Sequence, residues 1–326
     1  LPERLICLTL APYGIPMSLG DIVNRSERPA TVDSLAGDLG RLGLRSGDTV
    51  LVHSSLSSLG WVNGGTAAVI LALEQALGRR GTLVMPTQSG EWSNPAMWCN
   101  PPVPEDWWQT IATTMPAWQP DLGPTSGMGA IPDQFLGQRG TRRSHHPQHS
   151  FAARGRLARR LTARHPLEHS LGEDSPLASL YELGAAILLL GTDWDSCTAL
   201  HLAEYRCDWP GKCEITEYAA IRRRAWQPPW RAANDLGGPG RISGLGPWRR
   251  EWTGFRMLQF RTDDFCALGR DFEARCLAGG NSDLGGAPGA VGRPALRTGK
   301  VGMADCRLVD LRSLVDFAVE WLPRNR

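Results

Sequence analysis

The run Ala185-Ala186-Ile187-Leu188-Leu189-Leu190, closed by Gly191, limits what this chain can become more than any other stretch. An uninterrupted aliphatic segment of that length, ended by glycine, reads as a strand covered on both faces. Such strands belong to sheets packed between helices. The residues that follow take on helical spacing, so His201 sits just inside an element that begins where a core strand ends. In open α/β sheets ligands collect outside the carboxyl ends of strands, where unpaired N–H groups and the helix dipole point. The chain therefore reads as α/β, with His201 as its first candidate for chemistry.

Upstream, the pattern repeats twice. Thr31 or Asp33 caps a short amphipathic helix carrying Leu35, Leu39 and Leu42, which feeds the strand Thr49-Val50-Leu51-Val52-His53. That strand runs into Ser54-Ser55-Leu56-Ser57-Ser58, and a helix follows from Thr66 to Leu77, capped by Gly78. Small hydroxyl residues and glycines after a strand leave amides open to an anion, although a serine-rich turn is also an ordinary structural device. Gly81-Thr82-Leu83-Val84-Met85-Pro86-Thr87 reads as a second strand. The Pro- and Trp-rich segment from Gln88 to Leu122 has no periodicity, and long loops of this kind tend to be functional rims. Thr125-Ser126-Gly127-Met128-Gly129 opens a helix through Phe135.

His145, His146 and His149 pose the question of a metal. His146-Pro147 opposes the helical or hairpin geometry a zinc site needs, and the other reading is that these residues lead into a strand at Ser150 to Ala153. Ser175-Pro176-Leu177 is a helix start, with Glu173 and Asp174 as loop charges before it. From 210 to 290 the pattern is poor until a helix start at Asp263-Asp264-Phe265. A strand at Cys306 to Val309 and a docking helix from Leu311 to Leu322 close the chain. Residues 31–322 read as one domain behind a loosely ordered extension, 1–30.

Composition excludes little. The 42% apolar content fills a sizeable core, and a net charge of +2 without a basic, aromatic-interleaved run gives no reason to expect nucleic acid. No span reaches the ~18 apolar residues of a membrane helix. The eight cysteines form no C-x-x-C pair, so a zinc ribbon or dense disulfide framework is not indicated, and reduced thiols in a cytoplasmic protein are expected.

Taken together, Val52-His53-Ser54-Ser55-Leu56, Gly81 to Thr87, Arg143-Ser144-x-His146-Pro147-x-x-Ser150-Phe151-Ala152-Ala153, Ser175-Pro176-Leu177 and Thr198-x-Leu200-His201-Leu202-Ala203-Glu204-Tyr205 resemble the aminoglycoside 3-N-acetyltransferases. Pro102-Val103-Pro104-Glu105-Asp106-Trp107-Trp108 and Thr125-x-Gly127-Met128-Gly129 are similar to the actinomycete members. The resemblance covers residues 31 to 209, thins through 210 to 290 and resumes from Gly299 to Leu322. It implies a central mixed sheet flanked by helices, unrelated to the GNAT superfamily, and transfer of acetyl from acetyl-coenzyme A to the 3-amino group of a 2-deoxystreptamine ring, with no metal and antibiotic resistance as the outcome. It further implies that His201 is the general base, which suits an imidazole titrating near neutrality. Glu204, on the same helix face, either orients that ring or closes a helix salt bridge.

By the same resemblance acetyl-coenzyme A lies over His53, Ser54, Ser55, Leu56 and Ser57 and over Thr125, Gly127, Met128 and Gly129. Asp195, Asp263 and Asp264 are the candidate carboxylates for the cationic aminoglycoside, and a homodimer is a further expectation. Direct attack needs no acyl-enzyme, with Cys197 as the rival nucleophile. One departure stands out: Trp252-Thr253-Gly254-Phe255-Arg256-Met257-Leu258-Gln259 lacks the family's acidic patch, and Arg256 would repel a polycation. Either Asp263 or Asp264 substitutes, activity is reduced, or this segment departs from the family's usual sequence. Two other readings follow, a coenzyme- or aminoglycoside-binding protein without turnover, and a metal-dependent hydrolase built on His145, His146, His149, His201 and Glu204.

Overall fold

Residues 18–99, 101–224, 248–278 and 294–326 are described by the structure, a computed structural model. Helix α1 (Leu19–Arg25) and α2 (Val32–Leu42) each start at a reciprocal cap, Ser18 with Asp21 and Thr31 with Ser34. Next come β1 (Thr49–Ser54), α3 (Gly65–Leu77), β2 (Thr82–Pro86), α4 (Trp108–Thr114), α5 (Ala130–Gly137), β3 (Arg142–Arg143), β4 (Phe151–Gly155) and α6 (Ala158–Thr162). Helix α7 (Pro176–Glu182) opens at Ser175, whose hydroxyl accepts from the amides of Leu177 and Ala178. Beyond it lie β5 (Ala186–Leu190), α8 (Leu200–Arg206), β6 (Glu214–Arg224), β7 (Trp248–Leu258), α9 (Phe265–Ala278), β8 (Leu296–Val301), β9 (Ala304–Asp310) and α10 (Leu311–Asn325).

Seven strands form one sheet in the order β3-β4-β2-β1-β5-β9-β8. Strand β1 is parallel to both β2 and β5, and the remaining pairs are antiparallel, so the sheet is mixed. Alternation along the strands divides the core. Leu51, Ile187 and Leu189 face the layer of α7, α8, α9 and α10, while Val50, Val52, Leu188 and Leu190 face α2, α3 and α5. All five residues of β5 are buried, as its aliphatic run requires. The carboxyl ends of β1 and β5 meet: the Ser55 amide donates to the Leu190 carbonyl at 3.0 Å, and the Ser58 hydroxyl donates to the Gly191 carbonyl at 3.0 Å.

Several expectations need correction. The chain enters the fold before residue 31, through α1 and a parallel bridge between Ala30 and Val62, so the expected extension over 1–30 does not hold for 18–30, while its residues 1–17 lie outside the described residues. Thr125 to Gly129 is a turn, with Gly127 and Gly129 at φ 71° and 87°, and the helix starts only at Ala130. Where no element was drawn, β6 and β7 pair antiparallel from Glu214↔Leu258 to Arg224↔Trp248 as a separate two-stranded sheet. Such a ribbon buries only part of its surface, so charged residues blur its period-2 pattern. The rest of that region, 225–247 and 279–293, lies outside the described residues. Cys197, Cys207, Cys213, Cys266, Cys276 and Cys306 are free thiols, whereas Cys99 takes part in a disulfide, contrary to the expectation of reduced thiols throughout.

Candidate active site

After β5 the chain turns through Gly191, makes one tight turn at Trp194 to Ser196, and enters α8. This places His201 on the first turn of α8 and Glu204 one turn later on the same face. His201 Nδ1 lies 2.5 Å from Glu204 Oε2; the side chain of Glu204 is fully buried and that of His201 is 11% exposed. A carboxylate only accepts, so Nδ1 carries the hydrogen, and in the neutral ring Nε2 keeps a lone pair. The imidazole rests on Phe260 and Phe265, at ring-centroid distances of 4.4 and 5.2 Å.

A buried carboxylate needs partners or it neutralises. Glu204 Oε1 accepts from Arg326 Nη1 at 2.6 Å and from the Arg261 amide at 3.3 Å. Arg326 in turn makes a fork to Asp264, at 2.5 and 2.8 Å, and donates to the Arg261 carbonyl at 3.0 Å. Its guanidinium also lies over Trp209 at 4.7 Å. The result is a chain of contacts, His201–Glu204–Arg326–Asp264, buried at its two middle members and reaching toward solvent at its ends, the His201 imidazole and the Asp264 carboxylate.

Beside this line of residues sits the loop from Ser54 to Ser58. Ser54 Oγ is buried without a partner among the described residues, and Ser58 donates to Ser55 at 2.9 Å. Gly129 brings the second expected loop to it, since a Cβ there would lie 3.9 Å from the Ser54 carbonyl oxygen. The Ser126 hydroxyl accepts from the Gly90 amide at 2.9 Å, and Thr125 bonds Asp133, which fastens that turn. Leu56 packs against the core beneath. The two sequence-predicted loops are therefore adjacent, with the buried Ser54 hydroxyl left without a partner among the described residues where they approach. His53 is buried with Nε2 unpartnered, and burial first, then the nearby His201, pushes it down to about 3.

The remaining histidines form a packed cluster. His146 Nδ1 accepts from the amides of His149 and Gln148, at 2.9 and 3.1 Å, and its Nε2 donates to the Leu167 carbonyl at 3.3 Å. His165 donates from Nε2 to the Ser170 carbonyl and accepts the Ser144 hydroxyl at Nδ1. Both lone pairs are thus spent on hydrogen bonds, and among the described residues no group of three or more His, Cys, Asp or Glu is arranged to hold a metal. His145 packs edge-on against Trp118 instead. The ribbon of β6 and β7 covers the cluster through Phe255, which meets the His146 ring at 5.6 Å. Arg143 ties the Pro/Trp-rich segment down through the carbonyls of Thr87 and Pro124 and the hydroxyls of Ser89 and Ser150.

Of the carboxylates expected to meet substrate, Asp195 is exposed near the start of α9, where it affects Cys266, and Asp263 is exposed and ion-paired with Arg261 at 3.0 Å. Asp264 is turned to Arg326. Arg256 sits on the face of β7 opposite the buried Phe255 and Met257, with two carboxylates to offset its charge, Glu168 at 3.6 Å and Glu214 at 3.9 Å. Sequence reasoning missed Arg326 and the support it gives Glu204, because no local spacing announces a contact between residues this far apart.

A sequence profile described as aminoglycoside 3-N-acetyltransferase matches residues 51–323. The chain is 41% identical over 305 residues to the SPbeta prophage-derived aminoglycoside N(3')-acetyltransferase-like protein YokD of Bacillus subtilis, covering 93% of this chain and 96% of that one. The crystal structure of YokD superposes with a TM-score of 0.77, covering 94% of this chain and 98% of that one. Aminoglycoside N(3)-acetyltransferase VII of Streptomyces paromomycinus is 34% identical, over 92% of this chain and 94% of its own. A solved structure of AAC-IIIb as a binary complex with CoASH is similar at 28% identity and a TM-score of 0.70, over 91% of this chain and 97% of that one.

Proposed function

The chain belongs to the aminoglycoside 3-N-acetyltransferase family, and from that premise we propose that it transfers an acetyl group from acetyl-coenzyme A to the 3-amino group of a 2-deoxystreptamine aminoglycoside, conferring resistance. The observation that carries the reading is the short bond from a partly exposed imidazole to a fully buried carboxylate, His201 to Glu204. Acetyl-coenzyme A supplies an acyl group activated as a thioester. Everything else falls to the chain. Ser54, Ser55, Ser57 and the Gly127 to Gly129 turn hold the coenzyme, with the lone hydroxyl of Ser54 and the open glycine amides as its polar contacts. Asp195 and Asp263 offer carboxylates to the substrate's ammonium groups.

A protonated amine cannot attack a carbonyl. With Nδ1–H engaged by Glu204, His201 Nε2 takes the proton of the 3-amino group as the N–C bond forms and the C–S bond breaks. Glu204 faces the imidazolium that results and keeps the ring in the tautomer that can act. The ammonium gives up one proton to solvent before it attacks, and the second, taken by His201 as the amide forms, passes to the departing thiolate; amide, free thiol and one released proton balance the step, and no acyl-enzyme is required. A positioned base of this kind contributes roughly 10²–10⁴-fold.

The test is thiol release from acetyl-coenzyme A with a panel of aminoglycosides. Compounds containing 2-deoxystreptamine are expected to release thiol and to gain one acetyl at the 3-amino group by NMR. Release that does not depend on a 2-deoxystreptamine ring, or acetyl at another position, would contradict the reading.

A further inference from the structure

Arg326 lies outside the residues matched by the family profile, 51–323, and its side chain is 1% exposed against a Glu204 that is fully buried. Two buried ions in contact are costly unless each is fully satisfied. Here each is: the guanidinium spends two nitrogens on Asp264, one on Glu204 and a further bond on the Arg261 carbonyl, between the rings of Trp209 and Phe265. We infer that Arg326 is a positioning residue for acetyl transfer, fixing Glu204 as an oriented carboxylate so that Glu204 can hold His201 in its working tautomer. The inference rests on the proposed acetyltransferase reading and extends it to a residue that never touches substrate.

The division of labour follows from the two oxygens of Glu204. Oε1 is taken by Arg326 and the Arg261 amide, which leaves Oε2 for the imidazole. Without the guanidinium, Oε1 would keep one long bond in apolar surroundings, and the carboxyl would either protonate or swing away. Asp264 acts at one further remove, holding the fork of Arg326 in plane. This gives one of the two carboxylates expected to replace the missing acidic patch a different task, in support of the base.

The pair also sits among other charges. His53 from β1, His149 from the loop before β4, Tyr205 within α8 and Cys207 at its end, and Arg261, Asp263 and Asp264 ahead of α9 all lie near His201, Glu204 or Arg326. Deleting one positive charge from this set makes proton uptake by the His201–Glu204 pair easier, whichever atom takes the proton. The acid limb of the rate profile should therefore move to higher pH.

The experiment measures kcat, KM for acetyl-coenzyme A and the pH profile of kcat/KM for Arg326→Met, Arg326→Gln and Arg326→Lys beside the unaltered protein. For the neutral variants we expect kcat to fall about tenfold or more, KM to stay within about twofold, and the acid limb to move upward. Arg326→Lys keeps the charge but not the fork, so its acid limb should stay in place while kcat remains reduced. A purely structural role would lower the active fraction without moving the limb, and that result, or neutral variants with unaltered kcat, would overturn the inference. If neither neutral variant folds, an Arg326→Lys variant with unreduced kcat overturns it and one with reduced kcat and unmoved limb supports it. Absence of acetyl transfer by the unaltered protein would instead sink the functional reading itself.

Discussion

Cys197 stands just ahead of α8, near enough in sequence to His201 to suggest a nucleophile and base, but burial pushes its thiol up to about 12. A thiol that stays protonated in a closed environment is a poor nucleophile. Cys197→Ala is therefore expected to retain acetyl transfer within a factor of about three, and mass spectrometry of the unaltered protein with acetyl-coenzyme A alone should show no acetylated cysteine. Loss of turnover together with such an adduct would favour the covalent route. At this scale His201 and Glu204 were legible because a helix brings residues three apart onto one face. Arg326 was not. It reaches Glu204 across 122 residues of sequence, and nothing in a terminal helix ending in Pro-Arg-Asn-Arg separates a buried arginine from a solvated one. Asp264 reads as a helix-start carboxylate for the same reason.

Gly191 joins strand to site. It takes φ 72°, and a Cβ there would fall 2.6 Å from the Ser58 Cβ and 3.0 Å from the Ala304 Cβ. Neither neighbour is the free end of a flexible side chain, so the loop after β1 must shift. Gly191→Ala should cost about 2 kcal/mol or more and raise KM for acetyl-coenzyme A more than it lowers kcat, as read by thermal unfolding and steady-state kinetics. An unchanged KM would detach this junction from coenzyme binding. Among the elements, β1, β2 and β5 were readable as short apolar runs, and α7 from Ser175-Pro176. The ribbon of β6 and β7 was not, since Arg256 points outward between buried Phe255 and Met257 while charged neighbours mask the alternation. Strand β8 was missed because only Leu296 and Val301 of its six residues are buried, which leaves an edge strand without a hydrophobic pattern.

The molecule as a whole is built around neutral histidines. Burial pushes His53 and His149 down to about 3, His165 to about 4 and His146 well below 6.5. Below pH 6.5 the unfolded chain takes up protons at these positions and the folded one does not, so stability present above that pH drains away as pH falls toward about 4 for His165 and about 3 for His53 and His149. By linkage a ring held at about 3 to 4 costs about 2 kcal/mol at pH 5, a sizeable share of the net stability of a typical domain. Urea midpoints should be flat near neutrality and drop steeply from pH 6.5 to 5; a midpoint unchanged over that interval would show that these rings are not held neutral. His201 differs from these rings in having a buried carboxylate, Glu204, as its partner. The most direct test compares the unaltered protein with His201→Ala, both shown to be folded by circular dichroism, at saturating acetyl-coenzyme A and a 2-deoxystreptamine substrate. We predict a single-acetyl product from the first and a loss of at least about 10²-fold in its rate of formation by the second; equal rates would contradict the assignment of His201 as the base.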